Sequence, residues 1–250
     1  QLGISTIVAG YVAWLMLFHR DKAVLVMATK FATAGNLVGK VKKIMKNLPD
    51  WIRIASIDID NRTSFELSNG SSIKAASTSG DAGRSEALSL LVLDEAAHIE
   101  NLEELWTGLY PTLSTGGRCI ALSTPNGVGN WFHKVWVDAE EGKSEWNFVR
   151  LHWSLHPDRN EEWRAEQEKL LGPSMAAQEY DCDFITSGQT VIDGVILEEY
   201  RNTQIEDPVE KRGMDSNLWI WRQPDYTKNY VVAADVARGD ATDFSAFHVI

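Results

Sequence analysis

Two adjacent carboxylates end an apolar run near the middle of the chain, "LLVLDE", which finishes at Asp94 and Glu95. The run has the length and composition of a buried strand, and ligands of open α/β sheets bind beside the carboxyl ends of strands. An enzyme that hydrolyses a nucleoside triphosphate needs one acid there to hold Mg²⁺ and a second to orient the attacking water. We assign the first role to Asp94 and the second to Glu95. A solvated strand end or a helix N-cap is the alternative for this pair alone.

The first residues, "QLGIST", have the types that a phosphate-binding loop uses. Gly3 precedes Ser5 and Thr6 at the start of a predicted helix, where backbone amides and a hydroxyl bind phosphate and Mg²⁺. The commoner form of this loop has a lysine at the position of Ile4. The alternatives are a plain Ser/Thr N-cap and a loop that has lost its activity.

Two further segments are predicted to open onto the same sheet edge. Arg84 precedes Asp94 in a Gly-flanked loop, where a guanidinium can meet developing phosphate charge in its own subunit or in a neighbour's, as an arginine finger. Ser123 and Thr124, in "LSTPNG", follow a predicted buried strand and precede a Pro-Asn-Gly turn. Hydroxyls at such a strand end can sense a γ-phosphate and relay its presence. A solvated arginine and a simple tight turn are the structural alternatives.

The spacing of apolar side chains predicts the elements that position these residues. Helices are predicted over residues 5–18, 34–48, 102–113, 130–139, 159–172 and 173–180. Strands are predicted over residues 22–28, 87–95, 118–124 and 146–153, with two more in residues 229–250. Asn69-Gly70 marks a hairpin in an antiparallel insertion. Because several strands are continuously apolar, we predict an α/β fold with a mainly parallel sheet that helices cover on both faces.

Composition and charge limit the classes of protein to which the chain can belong. A chain of 250 residues that is 44% hydrophobic can bury a full core, and fits one domain plus part of another. The net charge of -11, without a basic arm, argues against broad coating of nucleic acid, so any DNA contact must be local. The two cysteines favour a reducing, cytosolic setting, and the six histidines have no metal-ligand spacing and receive no site.

The ends of the chain predict a segment of a longer protein. It lacks an initiating methionine, and it stops at Ile250 inside an apolar alternation. The apolar stretch at residues 7–18 is too short to cross a bilayer, and no cationic segment with a cleavage site precedes it. We therefore expect neither a membrane protein nor a secreted one.

Several segments share their order and spacing with one protein family, and together they cover nearly the whole chain. They are "QLGIST", "LPD", "LSNGSSI", "GRSEALSLLVLDEAAHI", "STPNG", "FHKVW" with "EGKSEW", "AAQEYDCDF" and "YVVAADVARGDATDFSAFHVI". In these segments the chain resembles the ATPase motor of the large terminase subunits of tailed bacteriophages, the DNA-packaging enzymes, particularly those with myophage-like sequences. The fold implied is a phosphate-loop NTPase of the ASCE type, followed by the start of an RNase H-like nuclease domain.

The resemblance implies roles in ATP hydrolysis. Gly3, Ser5 and Thr6 would form the end of the phosphate loop, with Ser5 and Asp94 holding Mg²⁺ and Glu95 as the catalytic carboxylate. The glutamine-containing adenine motif and the first half of the loop would lie upstream of this chain. We expect the loop lysine there, roughly four or five residues before Gly3, because a flexible lysine reaches the phosphates from either end of the loop.

The resemblance also implies roles outside the acid pair. Arg84 would be a candidate arginine finger, and Ser123 with Thr124 would form the coupling motif. Asp235 and Asp243 match acids of the nuclease, which would hold Mg²⁺ or Mn²⁺ in a two-metal site. An ordinary strand-end acid is the alternative for Asp235.

The implied whole is a large terminase subunit. Residues 1–203 would be the motor domain, residues 204–228 a linker and residues 229–250 the truncated start of the nuclease. ATP hydrolysis would drive double-stranded DNA into a procapsid and the nuclease would cut concatemeric DNA, with the portal protein, the small terminase subunit and further copies in a ring as partners in the host cytoplasm. A degenerate scaffold and a helicase-type ATPase are the alternatives, and we expect the segment alone to be inactive.

Overall fold

The computed structural model describes residues 3–78, 87–184, 196, 199–200, 203–236 and 245–250. The chain divides into two compact units, Gln1–Glu198 and Glu199–Ile250. Within the described residues, no helix is both long and apolar enough to cross a membrane.

Helices and strands alternate along the first unit, as the apolar spacing predicts. Its α-helices are α1 (Ile4–Phe18), α2 (Phe31–Lys46), α3 (Leu102–Leu109), α4 (Trp131–Glu140), α5 (Glu161–Leu171) and α6 (Pro173–Ala176). A π-helix (Ala177–Asp181) continues α6, and short 3-10 helices cover Ala96–His98, Tyr110–Leu113 and Trp153–Leu155. The strands are β1 (Ala23–Ala28), β2 (Ile57–Asp60), β3 (Ser64–Leu67), β4 (Ser72–Ala76), β5 (Leu90–Asp94) and β6 (Arg118–Leu122).

The strands of the first unit form one sheet in the order β2-β3-β4-β1-β5-β6. β1 pairs in parallel with β4 and with β5, and β5 pairs in parallel with β6. Antiparallel pairing is confined to β2, β3 and β4 at one side of the sheet. The prediction of an α/β fold with a mainly parallel sheet is therefore confirmed.

Helices bury both faces of this sheet. Alternate residues of β1 face opposite cores: Val24 and Val26 lie in one core with α1 and α2, and Leu25 and Met27 lie in the other with α3 and α4. All four side chains are at most 2% exposed. Burying an aliphatic side chain of this size contributes roughly 1.5–3 kcal/mol. The continuous apolar run of the central strand follows from this burial on two sides.

The predicted hairpin joins β3 to β4. Gly70 has a φ of 83°, which suits glycine, and the Asn69 carboxamide oxygen accepts from the amide of Ser71 at 3.0 Å. The Asn69 Nδ2 donates to the carbonyl oxygens of Met16 at 2.8 Å and His19 at 3.2 Å. The turn thereby binds the end of α1, and so anchors the helix whose first residues carry the phosphate-loop motif.

The strand predicted over residues 146–153 is wrong. Residues 147–152 have no regular secondary structure, and a 3-10 helix begins at Trp153. Aromatic side chains of this segment pack on helices instead: the ring of Phe148 lies 5.4 Å from that of Trp136 on α4, and the ring of Trp146 lies 5.7 Å from that of Trp106 on α3. Their apolar alternation is therefore satisfied by ring packing and not by a strand ladder.

The second unit contains two short antiparallel pairs in its described residues. β7 (Glu210–Arg212) pairs with β8 (Leu218–Ile220), and both lie in residues 204–228, where we predicted a linker. β9 (Val232–Asp235) pairs with β10 (Ala246–Val249), which confirms the two strands predicted in residues 229–250.

Candidate active site

The carboxyl ends of β1, β5 and β6 and the start of α1 surround an open cleft of about 1090 Å³, the strand-end cleft. The residues predicted to act on a nucleotide that line it are Gly3, Ser5, Thr6, Asp94, Glu95, Ser123 and Thr124. They come from segments far apart in the sequence. Parallel pairing explains the gathering, because it aligns the ends of neighbouring strands at one edge.

The predicted phosphate-loop residues lie at the start of helix α1. Gly3 is its N-cap with a φ of 77°, in the left-handed region, and its carbonyl oxygen accepts from the amides of Thr6 at 2.9 Å and Ile7 at 3.1 Å. The N-terminus has no side-chain cap, and its first turn has no acidic residue. The first turn of α1, with the positive end of the helix dipole, therefore lines the cleft, an arrangement that suits an anion.

The acid pair stands at the end of β5. Asp94 is half-buried, and Glu95 is exposed with a φ of 56°. Burial raises the pKa of Asp94, and the neighbouring Glu95 charge raises this pKa further. A hydrogen bond with the Glu95 backbone and the charge of Lys40 oppose this rise in the pKa. Two neighbouring carboxylates that repel each other favour a cation beside them.

A side chain that the sequence interpretation missed holds Glu95. The Thr29 hydroxyl, directly after β1, donates to Glu95 Oε2 at 3.1 Å. Thr29 also lines the strand-end cleft. A polar residue after a buried parallel strand was the available signal, but the adjacency of β1 and β5 emerges only from the fold.

The end of β6 is tied to the turn after the acid pair. Ser123 Oγ accepts from the amide of Ala97 at 3.1 Å, and Asn126 Nδ2 donates to the carbonyl oxygen of Ala97 at 3.2 Å. Thr124 Oγ1 lies 3.4 Å from Nε2 of His98. The predicted coupling residues thus contact the segment that carries Asp94 and Glu95.

Three cations also line the strand-end cleft among the described residues: Lys40, Arg150 and Arg159. The Arg150 guanidinium donates to the carbonyl oxygen of Cys182 at 2.7 Å, and that of Arg159 lies 4.5 Å from the ring centroid of Trp163. Lys40 acts on Asp94 through its charge. The sequence interpretation named none of the three, because each lies on an element outside the recognised motifs.

Three further predicted site residues are Arg84, Asp235 and Asp243. Arg84 and Asp243 lie outside the described residues. Asp235 ends β9 in the second unit and is exposed, and its backbone pairs with Ala246.

The donor chemistry of the cleft fits Mg²⁺ bound with a nucleotide. The Ser5 hydroxyl and the Asp94 carboxylate are hard oxygen ligands of the kind that Mg²⁺ takes alongside substrate phosphates. Within the residues that the structure describes, no cluster of three or more His, Cys, Asp or Glu side chains could hold a metal by itself. Two protein ligands completed by phosphate and water match the usual Mg²⁺ site.

Solved phage terminases share this fold. The large terminase ATPase domain of Thermus phage P74-26 superposes with a TM-score of 0.59 at 22% identity, over 74% of this chain and 85% of that one. The large terminase of a second thermophilic bacteriophage, solved in complex with ADP, gives a TM-score of 0.58 at 13% identity, over 73% of this chain and 45% of that one. At these identities the likeness establishes the fold.

Sequence comparison identifies the family. The probable terminase large subunit gp28 of Escherichia phage Mu is 28% identical over 138 residues, which are 48% of this chain and 25% of the Mu protein. The match therefore spans a quarter of that relative. The family model described as terminase large subunit, T4likevirus-type, N-terminal, matches residues 1–198. The chain therefore belongs to the T4-like-virus-type family of phage terminase large subunits, whose N-terminal region it contains.

Proposed function

We propose that this chain is the ATP-hydrolysing motor of a large terminase, which drives double-stranded viral DNA into a procapsid. One observation carries the proposal: a single cleft is lined by the uncapped start of α1, the carboxylates Asp94 and Glu95, and the hydroxyls of Ser123 and Thr124. These are the parts that phosphoryl transfer to water requires. The thermophilic-phage terminase solved with ADP and with ATP-gamma-S supports a nucleotide as the ligand.

Each group would have a distinct task. Glu95, held by Thr29, would orient the attacking water, and the amides after Gly3 would bind the phosphates. Ser5 and Asp94 would hold Mg²⁺, which when bound neutralises charge that develops on the phosphates.

The charge of the chain fits a motor that grips DNA briefly. A net charge of -11 gives no general attraction to phosphate backbones, and tight binding would stall translocation. We therefore propose a homo-oligomeric ring on the portal of the procapsid, in the host cytoplasm, with the small terminase subunit as a further partner. In such a ring Arg84 would serve as an arginine finger in its own subunit or in a neighbour's.

We propose further that residues 1–203 form the motor domain, residues 204–228 a linker, and residues 229–250 the start of an RNase H-like nuclease. Asp235 at the end of β9 and Asp243 would be two of the acids that hold Mg²⁺ or Mn²⁺ and cut concatemeric DNA. The antiparallel pairing of β9 and β10 supports the first hairpin of such a domain.

Two other functions fit less well. A degenerate scaffold would not need Glu95 and Thr29 in contact beside a phosphate-binding helix start. A helicase shares the Asp-Glu strand end, but His98 stands one position too far along for the helicase box. A helicase would also need a second motor domain where we propose the start of an RNase H-like nuclease.

The test is ATP hydrolysis by the full-length protein that contains this chain. We expect Glu95→Gln to lower kcat by about 10²- to 10⁴-fold, the usual cost of losing a catalytic acid or base. Glu100→Gln is the matched control, because Glu100 is exposed and lies outside the cleft lining. Equal turnover by Glu95→Gln and wild type would refute the motor and favour the scaffold.

A further inference from the structure

A histidine outside the proposed catalytic set joins three segments at the strand-end cleft. His98 ends the 3-10 helix that follows Asp94 and Glu95. Its Nε2 lies 3.4 Å from Thr124 Oγ1 at the end of β6, and 3.4 Å from Nε2 of Gln178 in the π-helix. One ring nitrogen therefore connects the segment of the acid pair, the coupling residues and a helix far along the chain.

Nε2 of His98 can accept a hydrogen bond from only one of its two neighbours at a time. With the amide nitrogen of Gln178 turned towards it, Nε2 of His98 accepts this hydrogen bond, and the ring proton then lies on Nδ1. A neutral imidazole nitrogen has one lone pair, and the Thr124 hydroxyl competes for it. If Thr124 turns its hydroxyl towards a γ-phosphate in the cleft, the lone pair is left to Gln178.

Gln178 is placed to respond to that exchange. Its side chain is only 8% exposed, so the loss of its hydrogen bond would leave a buried polar group unsatisfied. It lies in a π-helix, a conformation that is frequent at functional sites. The next residues, Glu179 and Tyr180, line the strand-end cleft.

The π-helix is in turn fixed to α5. The Arg164 guanidinium donates to both carboxylate oxygens of Asp181, at 2.7 and 2.5 Å. Arg164 also pairs with Glu168 one turn further along α5, at 3.0 Å. Arg164 therefore joins the π-helix that contains Gln178 to α5.

We propose that His98 is a positioning residue, which transmits the presence of the γ-phosphate from Thr124 to Gln178 and so to the π-helix and α5. The inference rests on the proposed function, because it requires ATP in the cleft. It adds a residue that links hydrolysis to movement of the cleft wall.

Hydrogen exchange of the full-length protein, with and without ATPγS and Mg²⁺, tests the transmission. In the wild type we expect nucleotide to protect the amides at the start of α1 and also those of residues 173–184. Gln178→Met keeps a buried side chain of similar length but cannot donate to His98. We expect it to retain protection at α1 and to lose it in residues 173–184.

Steady-state ATP hydrolysis supplies a second measurement. We expect Gln178→Met to lower kcat by about threefold to thirtyfold, the range of measured coupling along such connections, while KM for ATP stays within about twofold. Gln204→Met is the matched control, because Gln204 is exposed and lies in the second unit. His98→Phe keeps a ring and should give the same loss, and the double variant should lose no more than either single variant.

The outcomes separate the two proposals. Protection of residues 173–184 by nucleotide in Gln178→Met, with unchanged kcat, overturns the transmission while the motor stands. A double variant that loses clearly more than either single variant also overturns it. No protection at α1 in the wild type overturns the proposed function, and this inference with it.

Discussion

Asp94 is the residue at which stability and function oppose each other most clearly. Burial and the Glu95 charge raise its pKa, so its ionised form is less stable in the fold than in the unfolded chain. A bound cation relieves both effects. If the site binds Mg²⁺ as proposed, this cost is offset when the ion is present, which would explain why a carboxylate stands where burial disfavours it.

We therefore expect Asp94→Asn to stabilise the ligand-free protein. Because the folded pKa lies above the unfolded value of 3.8, the ionised carboxylate costs stability as pH rises through the folded pKa, whereas asparagine carries no charge at any pH. At pH near 7 the variant should melt a few degrees higher, and the gain should disappear as pH falls to about 3.8. Thermal melts across this range measure it.

The same variant should lose binding of ATP with Mg²⁺. Asp158→Asn is the control, because its side chain is 87% exposed on a turn. A lower melting temperature for Asp94→Asn at neutral pH would contradict this account of the carboxyl pair.

Thr29→Val tests the contact that holds Glu95. The two side chains have the same shape, but valine cannot donate to Glu95 Oε2. We expect kcat for ATP hydrolysis to fall about threefold to tenfold with little change in the folded stability, because the hydrogen bond lies at an exposed carboxylate. Thr107→Val, at an exposed position of α3, should leave kcat unchanged. An equal fall of kcat in Thr107→Val would contradict the role proposed for Thr29.

Among single residues, the sequence predicts those that belong to a motif of consecutive residues. Asp94 and Glu95 follow directly from an apolar strand that ends in two acids. Thr29 and His98 escape prediction because their partners, Glu95 and Gln178, are 66 and 80 residues away in the sequence. Only the parallel pairing and the packing of the π-helix bring them together.

At the scale of elements, we expect the replacement of two glycines by alanine to have opposite effects on the stability of the fold. A Cβ at Gly117, just before β6, would lie 2.2 Å from the Leu88 carbonyl oxygen, whereas one at Gly39 in α2 would meet nothing within 4 Å. We expect Gly117→Ala to destabilise the fold by about 1–3 kcal/mol, and Gly39→Ala to stabilise it by about 0.5–1 kcal/mol. Urea unfolding of the two variants measures the difference, and the reverse order would contradict the register of β5 and β6.

The elements were predictable where an apolar run is buried on both sides. β1 and β5 follow from such runs, and the hairpin after β3 follows from Asn69-Gly70. The prediction of a strand over residues 146–153 failed because the same alternation of apolar residues occurs in a strand and in an irregular segment that packs on helices. The aromatic contacts of Phe148 decide between the two, and they are tertiary.

At the scale of the whole molecule, the proposed nuclease and motor should be separable. We expect Asp235→Asn in the full-length protein to reduce metal-dependent DNA cleavage to background while ATP hydrolysis stays at the wild-type rate, because Asp235 lies in the second unit and the strand-end cleft lies in the first. Asp225→Asn is the control, since its carboxylate accepts hydrogen bonds from Thr227 in its own exposed turn. Cleavage that survives Asp235→Asn would remove this residue from the nuclease.

The family was predictable because several weak motifs occur in one order, although none identifies it alone. The phosphate-loop start, the acid pair and the Ser123-Thr124 strand end lie on different elements, and the sheet places all three at one edge. The division of roles between the two units depends on residues beyond those motifs.

The most direct test of the central claim is binding of ATPγS to the full-length protein by calorimetry, compared between wild type and Ser5→Glu. A carboxylate at the start of α1 would repel the phosphates. It would also stabilise the helix by about 0.3–1 kcal/mol, because a negative charge interacts favourably with the N-terminal end of the helix dipole. Ser114→Glu, at an exposed position away from the cleft, controls for the added charge.

The account predicts that the wild type and Ser114→Glu bind ATPγS alike, while Ser5→Glu binds at least about a hundredfold more weakly with an equal or higher melting temperature. Binding by Ser5→Glu at wild-type affinity would contradict the claim that the strand-end cleft holds the nucleotide.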